Sequence, residues 1–161
     1  MYLRNEVIQE KYFVGKHLAM SFVNDRTPEL WKCFMPFRNE IHNRVSTDLI
    51  SLQVYGADFD FNKSDPHMNF EKWALAEVSD LSSVTAGMEA FTLPSGLYAV
   101  FLHRGSVSEA FNTFKFIFTE WLPGSGFETD SRPHFEVLGD RYIHDSPLSE
   151  EEVWIPLRQK I

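Results

Sequence analysis

Between Thr27 and His42, apolar side chains recur at Leu30, Phe34, Phe37 and Ile41, in steps of four, three and four. That spacing forms one stripe of an amphipathic helix. Thr27 is placed to act as its N-cap with Pro28 at the first helical position, and Pro36 should kink or end it. A second stripe, Phe111, Phe114, Phe118 and Trp121, predicts a helix from about Val107 to Leu122. Ser106 or Ser108 can cap it, and Pro123 with Gly124 should stop it. Elsewhere the pattern shortens to imperfect alternation in runs bounded by Gly, Pro, Asp and Asn. Strands are expected over Lys11 to Phe22, Asp48 to Tyr55, Glu71 to Val78, Met88 to Leu93, Gly96 to Arg104, His134 to Leu138 and Glu152 to Arg158. Two polar loops, Ala57 to Asn69 and Gly139 to Glu150, fall at the same place in this order.

The order repeats. Each half of the chain, roughly 1–80 and 81–161, reads strand, helix, strand, loop, strand. Gly15 and Gly96, Glu71 and Glu152, and Trp73 and Trp154 are each 81 residues apart. The strand ends Tyr55-Gly56 and Leu138-Gly139 agree with that offset within two residues. The alternative is a chance match of a few residues. One half has too few strands to bury a core alone. The expected fold is therefore α+β and a single domain over 1–161. It consists of two pseudo-symmetric strand–helix–strand–strand modules that form an antiparallel sheet. Both helices lie on one face, with a ligand cleft between the modules.

Composition narrows the function. An apolar fraction of 43% excludes a disordered chain. Fifteen basic residues against 23 acidic ones give a formal charge of −8, which argues against direct nucleic-acid contact. No helix-turn-helix segment is left over, so a role in transcription would need a separate DNA reader. Cys33 is the single cysteine, so no intrachain disulfide forms; it reads as a core or boundary thiol. The N-terminal residues carry charges and no apolar h-region, and no apolar run is long enough to span a bilayer. A soluble cytoplasmic protein without membrane association is the expectation. The six histidines lack metal-ligand spacing, and there is no phosphate loop or nucleophile elbow, so no cofactor or metal is implied.

Aromatic residues make up 15% of this acidic chain. Along the last strand, alternation separates Val153, Ile155 and Leu157 from Glu152, Trp154 and Pro156. The first half has Glu71, Trp73, Leu75 and Glu77 on one side. A carboxylate beside an aromatic wall suits a lipophilic cation, each ring adding about 0.5–2 kcal/mol of cation–π attraction. The other reading of the pattern is a rim carboxylate and a half-buried indole on a sheet surface. Glu150 and Glu151, ahead of Glu152, read as solvated members of a charge run.

The stretch Phe135-Glu136-Val137-Leu138-Gly139-Asp140-Arg141-Tyr142, followed by Ser149 to Leu157, resembles the C-terminal signature of the GyrI-like small-molecule-binding family. Gly96 to Gly105 resembles the family's strand leading into its second helix. The family supplies the effector-binding domain of AraC-type and MerR-type multidrug regulators and also occurs alone. The resemblance implies a pseudo-dimer of modules, a small-molecule ligand in the cleft between them, and Glu152 facing that ligand's positive charge. Trp154, Trp73, Tyr98 and Phe13, chosen by strand position, and Glu71, the counterpart of Glu152, complete the expected site. The domain would sequester a cationic or amphipathic aromatic compound, or report it to a protein partner. Two alternatives come with the resemblance. One is a hydrolase with Glu152 as general base or nucleophile and Tyr98 as donor. The other is a protein-binding gyrase inhibitor.

Overall fold

The computed structural model describes residues 1–63 and 65–161; Ser64, in the expected loop Ala57 to Asn69, lies outside them. Nine strands run in the order β1 Tyr2–Ile8, β2 Lys11–Met20, β3 Leu49–Val54, β4 Phe70–Val78, β5 Glu89–Leu93, β6 Gly96–Arg104, β7 Phe127–Thr129, β8 His134–Leu138 and β9 Glu150–Gln159. Helix α1, Thr27–Phe34, separates β2 from β3, and helix α2, Ala110–Phe116, follows β6.

Both helices are shorter than their apolar stripes predict. Pro28 stands in the first turn of α1, and the segment Met35–Glu40 that holds Pro36 tightens to a 3-10 helix. Proline has no N–H for the α-helical bond and disfavours helical geometry at the residue before it. Thr27 is not the cap; its backbone N–H and hydroxyl both donate to the Asp25 carboxylate. Ser106 and Glu109 form a capping box on the 3-10 turn ahead of α2, and Ile117–Trp121 continue α2 as a π-helical turn.

The strand order is β1-β6-β9-β8-β3-β4-β2-β5, with β7 pairing β9 off this path. Each half contributes a short strand, a long strand, a helix and two more strands. The short strands β1 and β5 are exchanged between halves, β1 pairing with β6 and β5 with β2. The halves meet at β3 and β8, where Leu52 faces Phe135. Trp73 faces Leu52 and Trp154 faces Phe135, so the two indoles hold matching places. Gly15 and Gly96 do not: Gly15 faces Leu75 in mid-strand, whereas Gly96 opens β6 against Ile8. A Cβ on Gly15 would meet the Ala74 carbonyl oxygen at 1.9 Å, so β2 and β4 require glycine there.

Chain connectivity curls this sheet. Only Gln9 and Glu10 join β1, at one end of the order, to β2, near the other. Pro94 and Ser95 likewise join β5 to β6. Two residues span at most about 10 Å, so the two ends must be close. The inner face of the curl packs on itself: Ile8, Phe13, Leu93 and Tyr98 from the ends share one core cluster with Leu52, Trp73, Phe135 and Trp154 from the centre. The outer face carries both helices. Leu30 and Phe34 of α1 pack on β2 and β4, and Ile117 and Phe118 pack on β6 and β9. Between the two helical layers, the outward side chains of β3 and β8 form the floor of a channel where the modules meet.

Candidate functional site

The curl explains where the expected aromatic wall goes. Phe13, Trp73, Tyr98 and Trp154 are all buried on the inner face. Trp154, Phe135, Leu52 and Trp73 lie in one row across β9, β8, β3 and β4. Trp154 stacks on Phe135 at 5.2 Å, and the Tyr98 hydroxyl donates to the Pro133 carbonyl at 2.8 Å. Both expected carboxylates already hold a basic side chain of the chain itself. Glu152 accepts the Trp154 indole N–H at 3.2 Å and pairs with Arg4 at 3.4 Å. The Arg4 guanidinium sits 5.5 Å from the Trp154 ring centre, where a cation against that wall would lie. Glu71 pairs with His17 at 2.8 Å, and that imidazole stacks on Trp73 at 4.2 Å.

On the opposite face, the channel floor carries charge without direct partners. Its side chains come from alternate positions: Lys72 on β4, Ser51, Gln53 and Tyr55 on or just after β3, His134 and Glu136 on β8, and Glu151 on β9. Gln53 and Ser51 are buried and hydrogen-bonded to each other at 3.2 Å. Glu136 has one long contact, accepting from Gln53 Nε2 at 3.5 Å. Among the described residues Glu151 has neither a hydrogen bond nor an ion pair, whereas Glu150 beside it pairs with Arg104 and Arg141. Burial is the main reason both channel acids resist ionisation. It pushes Glu136 up to about 7 despite the opposing Lys72 charge and the Gln53 hydrogen bond. Glu151 is pushed up to about 8, first by burial and then by the charge of Glu136, with Lys72 again opposing. Burial drives His134 down to about 3, so its imidazole is neutral.

Aromatic rings close one end of the channel. Tyr55 stacks on Phe59 at 4.1 Å, and both rings meet His134 edge-on. Phe61 stacks on Phe118 at 4.7 Å, the latter placed by the π-helical turn. Phe59 and Phe61 come from the long loop between β3 and β4, which Asn62 ties to the Phe118 carbonyl at 3.3 Å. Two shallow depressions, each with room for about 10 Å³, flank the Tyr55–Phe59 pair. Neither is lined by Glu136 or Glu151. Among the described residues no cluster of three or more His, Cys, Asp or Glu is arranged to hold a metal ion. Among the described residues no helix is long and apolar enough to cross a membrane.

Sequence reading passed over Glu136 and Glu151. One signal was available: alternation that puts Val153, Ile155 and Leu157 against a helix also puts Glu151 on that side. What hid it was the charge run, whose other two members are ion-paired near the surface.

Comparison with known proteins agrees with this architecture. The family model described as the GyrI-like small molecule binding domain matches residues 4–158. The transcriptional regulator BrlR of Pseudomonas aeruginosa is 28% identical over 145 residues, which are 89% of this chain and 51% of that protein. The chain thus spans about half the length of this curated relative. The structure of SAV2435 bound to tetraphenylphosphonium superposes with a TM-score of 0.67 at 16% identity, covering 98% of this chain and 94% of that one. The EcmrR C-terminal domain superposes with a TM-score of 0.68 at 14% identity, covering 99% of both chains. At such identities these two structures speak for the fold.

Proposed function

The chain belongs to the GyrI-like small-molecule-binding family, and from that premise we propose that it binds lipophilic aromatic cations in the channel between its two helices. One observation carries the reading: Glu136 and Glu151 stand on neighbouring strands, half-buried and without an ion pair, on the face that carries the Tyr55–Phe59 and Phe61–Phe118 ring pairs. Burying an acid costs free energy unless a partner compensates for lost hydration. A cation with aromatic arms supplies that partner, and its rings replace the contacts of Phe59 with Tyr55 and His134. Tetraphenylphosphonium, bound by a structural neighbour, has this chemistry and serves as the probe. The internal repeat fits the site's position, since one acid comes from β8 and the other from β9 while the facing lysine comes from β4 of the other half. As a regulator-type effector domain, the chain would report or sequester its ligand in the cytoplasm, a reading supported by its likeness to BrlR.

Titration of the protein with tetraphenylphosphonium, followed by tryptophan fluorescence, tests the placement. Glu151→Gln and Glu136→Gln should each weaken binding by roughly 10- to 100-fold, about 1.5–3 kcal/mol for a charged partner lost from a half-buried site. Glu152→Gln, whose carboxylate faces Arg4 on the inner side, should change affinity by less than about threefold. The reverse pattern, loss in Glu152→Gln with Glu151→Gln unaffected, would place the ligand on the inner face instead. A hydrolase reading draws on the same pair, because a protonated acid beside a second carboxylate is a general acid–base arrangement. Steady turnover of a strained cyclopropane or lactone, abolished in Glu151→Gln, would favour it over binding alone.

A further inference from the structure

We propose that Lys72 is a counter-ion built into the channel and that it sets the charge of the ligand, so that the site accepts a monocation and rejects a dication with the same rings. The inference rests on the channel being the ligand site. Lys72 lies opposite Gln53 on β3, and Gln53 lies opposite His134 on β8, so the three side chains form one row across the channel floor. Glu136 stands in the next row and Glu151 on the strand beyond it. The Lys72 ammonium donates to the Thr27 hydroxyl at 3.1 Å and forms no ion pair among the described residues. Its place is therefore at the first residue of α1. The start of a helix carries partial positive charge and is an unfavourable place for an ammonium. The acids across the channel supply the opposing attraction, and the field of Lys72 reaches both of them. Asp25, beyond Thr27, is exposed to solvent and already accepts the Thr27 backbone N–H and hydroxyl.

Charge counting then fixes the preference. A bound cation draws both acids into the ionised form, and two carboxylates with one ammonium then leave a single negative charge in the site. One positive charge on the ligand neutralises it. A second positive charge leaves a surplus that is repelled by Lys72, and repulsion of this kind is how sites exclude near-isosteric competitors. Methionine in place of Lys72 keeps most of the stem and removes the charge, which leaves room for two positive charges.

Ethidium and propidium test this, since both carry the same phenanthridinium ring and propidium adds a quaternary ammonium. Calorimetric titration of the unmodified chain should show ethidium binding roughly tenfold tighter or better. In Lys72→Met the ratio should move toward propidium by at least about tenfold, while Lys72→Arg keeps the original preference. Lys72→Gln provides a second neutral variant should methionine unsettle the fold, with thermal denaturation as the check. If the ratio is the same in all four proteins while Glu151→Gln still weakens ethidium, the role of Lys72 is overturned and the site stands. If Glu136→Gln and Glu151→Gln also leave ethidium unaffected, the site itself is in the wrong place.

Discussion

Glu151 and Glu152 are neighbours in sequence and sit on opposite faces of one strand, and their surroundings give them different chemistry. Glu152 has a guanidinium at 3.4 Å and an indole N–H at 3.2 Å as partners. Glu151 has neither, and with Glu136 it titrates near neutrality. On the same outward face, His103 lies opposite Glu151 and is hydrogen-bonded with the Thr113 hydroxyl and the Ser106 carbonyl. His134 is held neutral by burial, and Tyr55 and Tyr142 are raised further from ionisation. A bound cation favours the ionised acids, so binding should release protons. Affinity for tetraphenylphosphonium should therefore climb between about pH 5.5 and about pH 8.5, by up to tenfold per unit for each proton released, and then level off. The sign for folding is opposite. Raised acids contribute stability that is complete below their unfolded value of about 4.5 and is lost as pH rises through about 7 to 8. Calorimetry in two buffers of different ionisation enthalpy measures the proton release, and a flat affinity profile would show that the acids do not face the ligand. Alternation alone puts Glu151 on the helix side, but nothing in a three-residue acidic run tells that its two neighbours are ion-paired and it is not.

At the scale of elements, five strand boundaries came within two residues of the pattern-based expectation, and Gly96–Arg104 and His134–Leu138 coincide with it. These strands were legible as short apolar-rich runs bounded by Gly, Pro, Asp or Asn. β1 was missed: Tyr2, Leu3 and Val7 are exposed at the sheet edge, so its apolar residues follow no one-sided pattern. β7, with three residues, is too short to show a period. The exchange of β1 and β5 was equally illegible, since pairing with the other half leaves no mark on local sequence. A side-chain clamp secures β5 in that exchanged position. His17 of β2 bonds Glu71 of β4 and Glu89 of β5 at once. Burial disfavours the charged ring, but the two carboxylates outweigh it and raise the His17 pKa. The clamp is then complete below the unfolded value of about 6.5 and weakens as pH rises through the raised one. His17→Gln should lower the melting temperature at pH 6 and have a diminishing effect at progressively higher pH. A difference between the two proteins that stays constant with pH would mean that packing on Trp73 accounts for it.

For the whole molecule, the curl and the long loop divide the aromatic content into two populations with different roles. Rings on the inner face hold the two ends of the sheet together, and removing one costs about 3–5 kcal/mol. Rings over the channel come largely from the loop between β3 and β4 and cover an acidic floor that gains nothing from being dry. The depressions beside Phe59 are too shallow for a multi-ring cation, so in the proposed placement the ligand would displace that ring to reach Glu136 and Glu151. A protein whose binding-competent form is a minor population binds more weakly by that fraction, and a change that opens the site recovers it. Phe59→Ala removes the ring stacked on Tyr55 without touching the inner core. It should speed association of tetraphenylphosphonium by roughly tenfold in stopped-flow fluorescence. Dissociation should also quicken, because the same ring no longer closes over the bound cation, so affinity changes less than either rate. An unchanged association rate would mean that the Phe59 ring does not stand in the ligand's path.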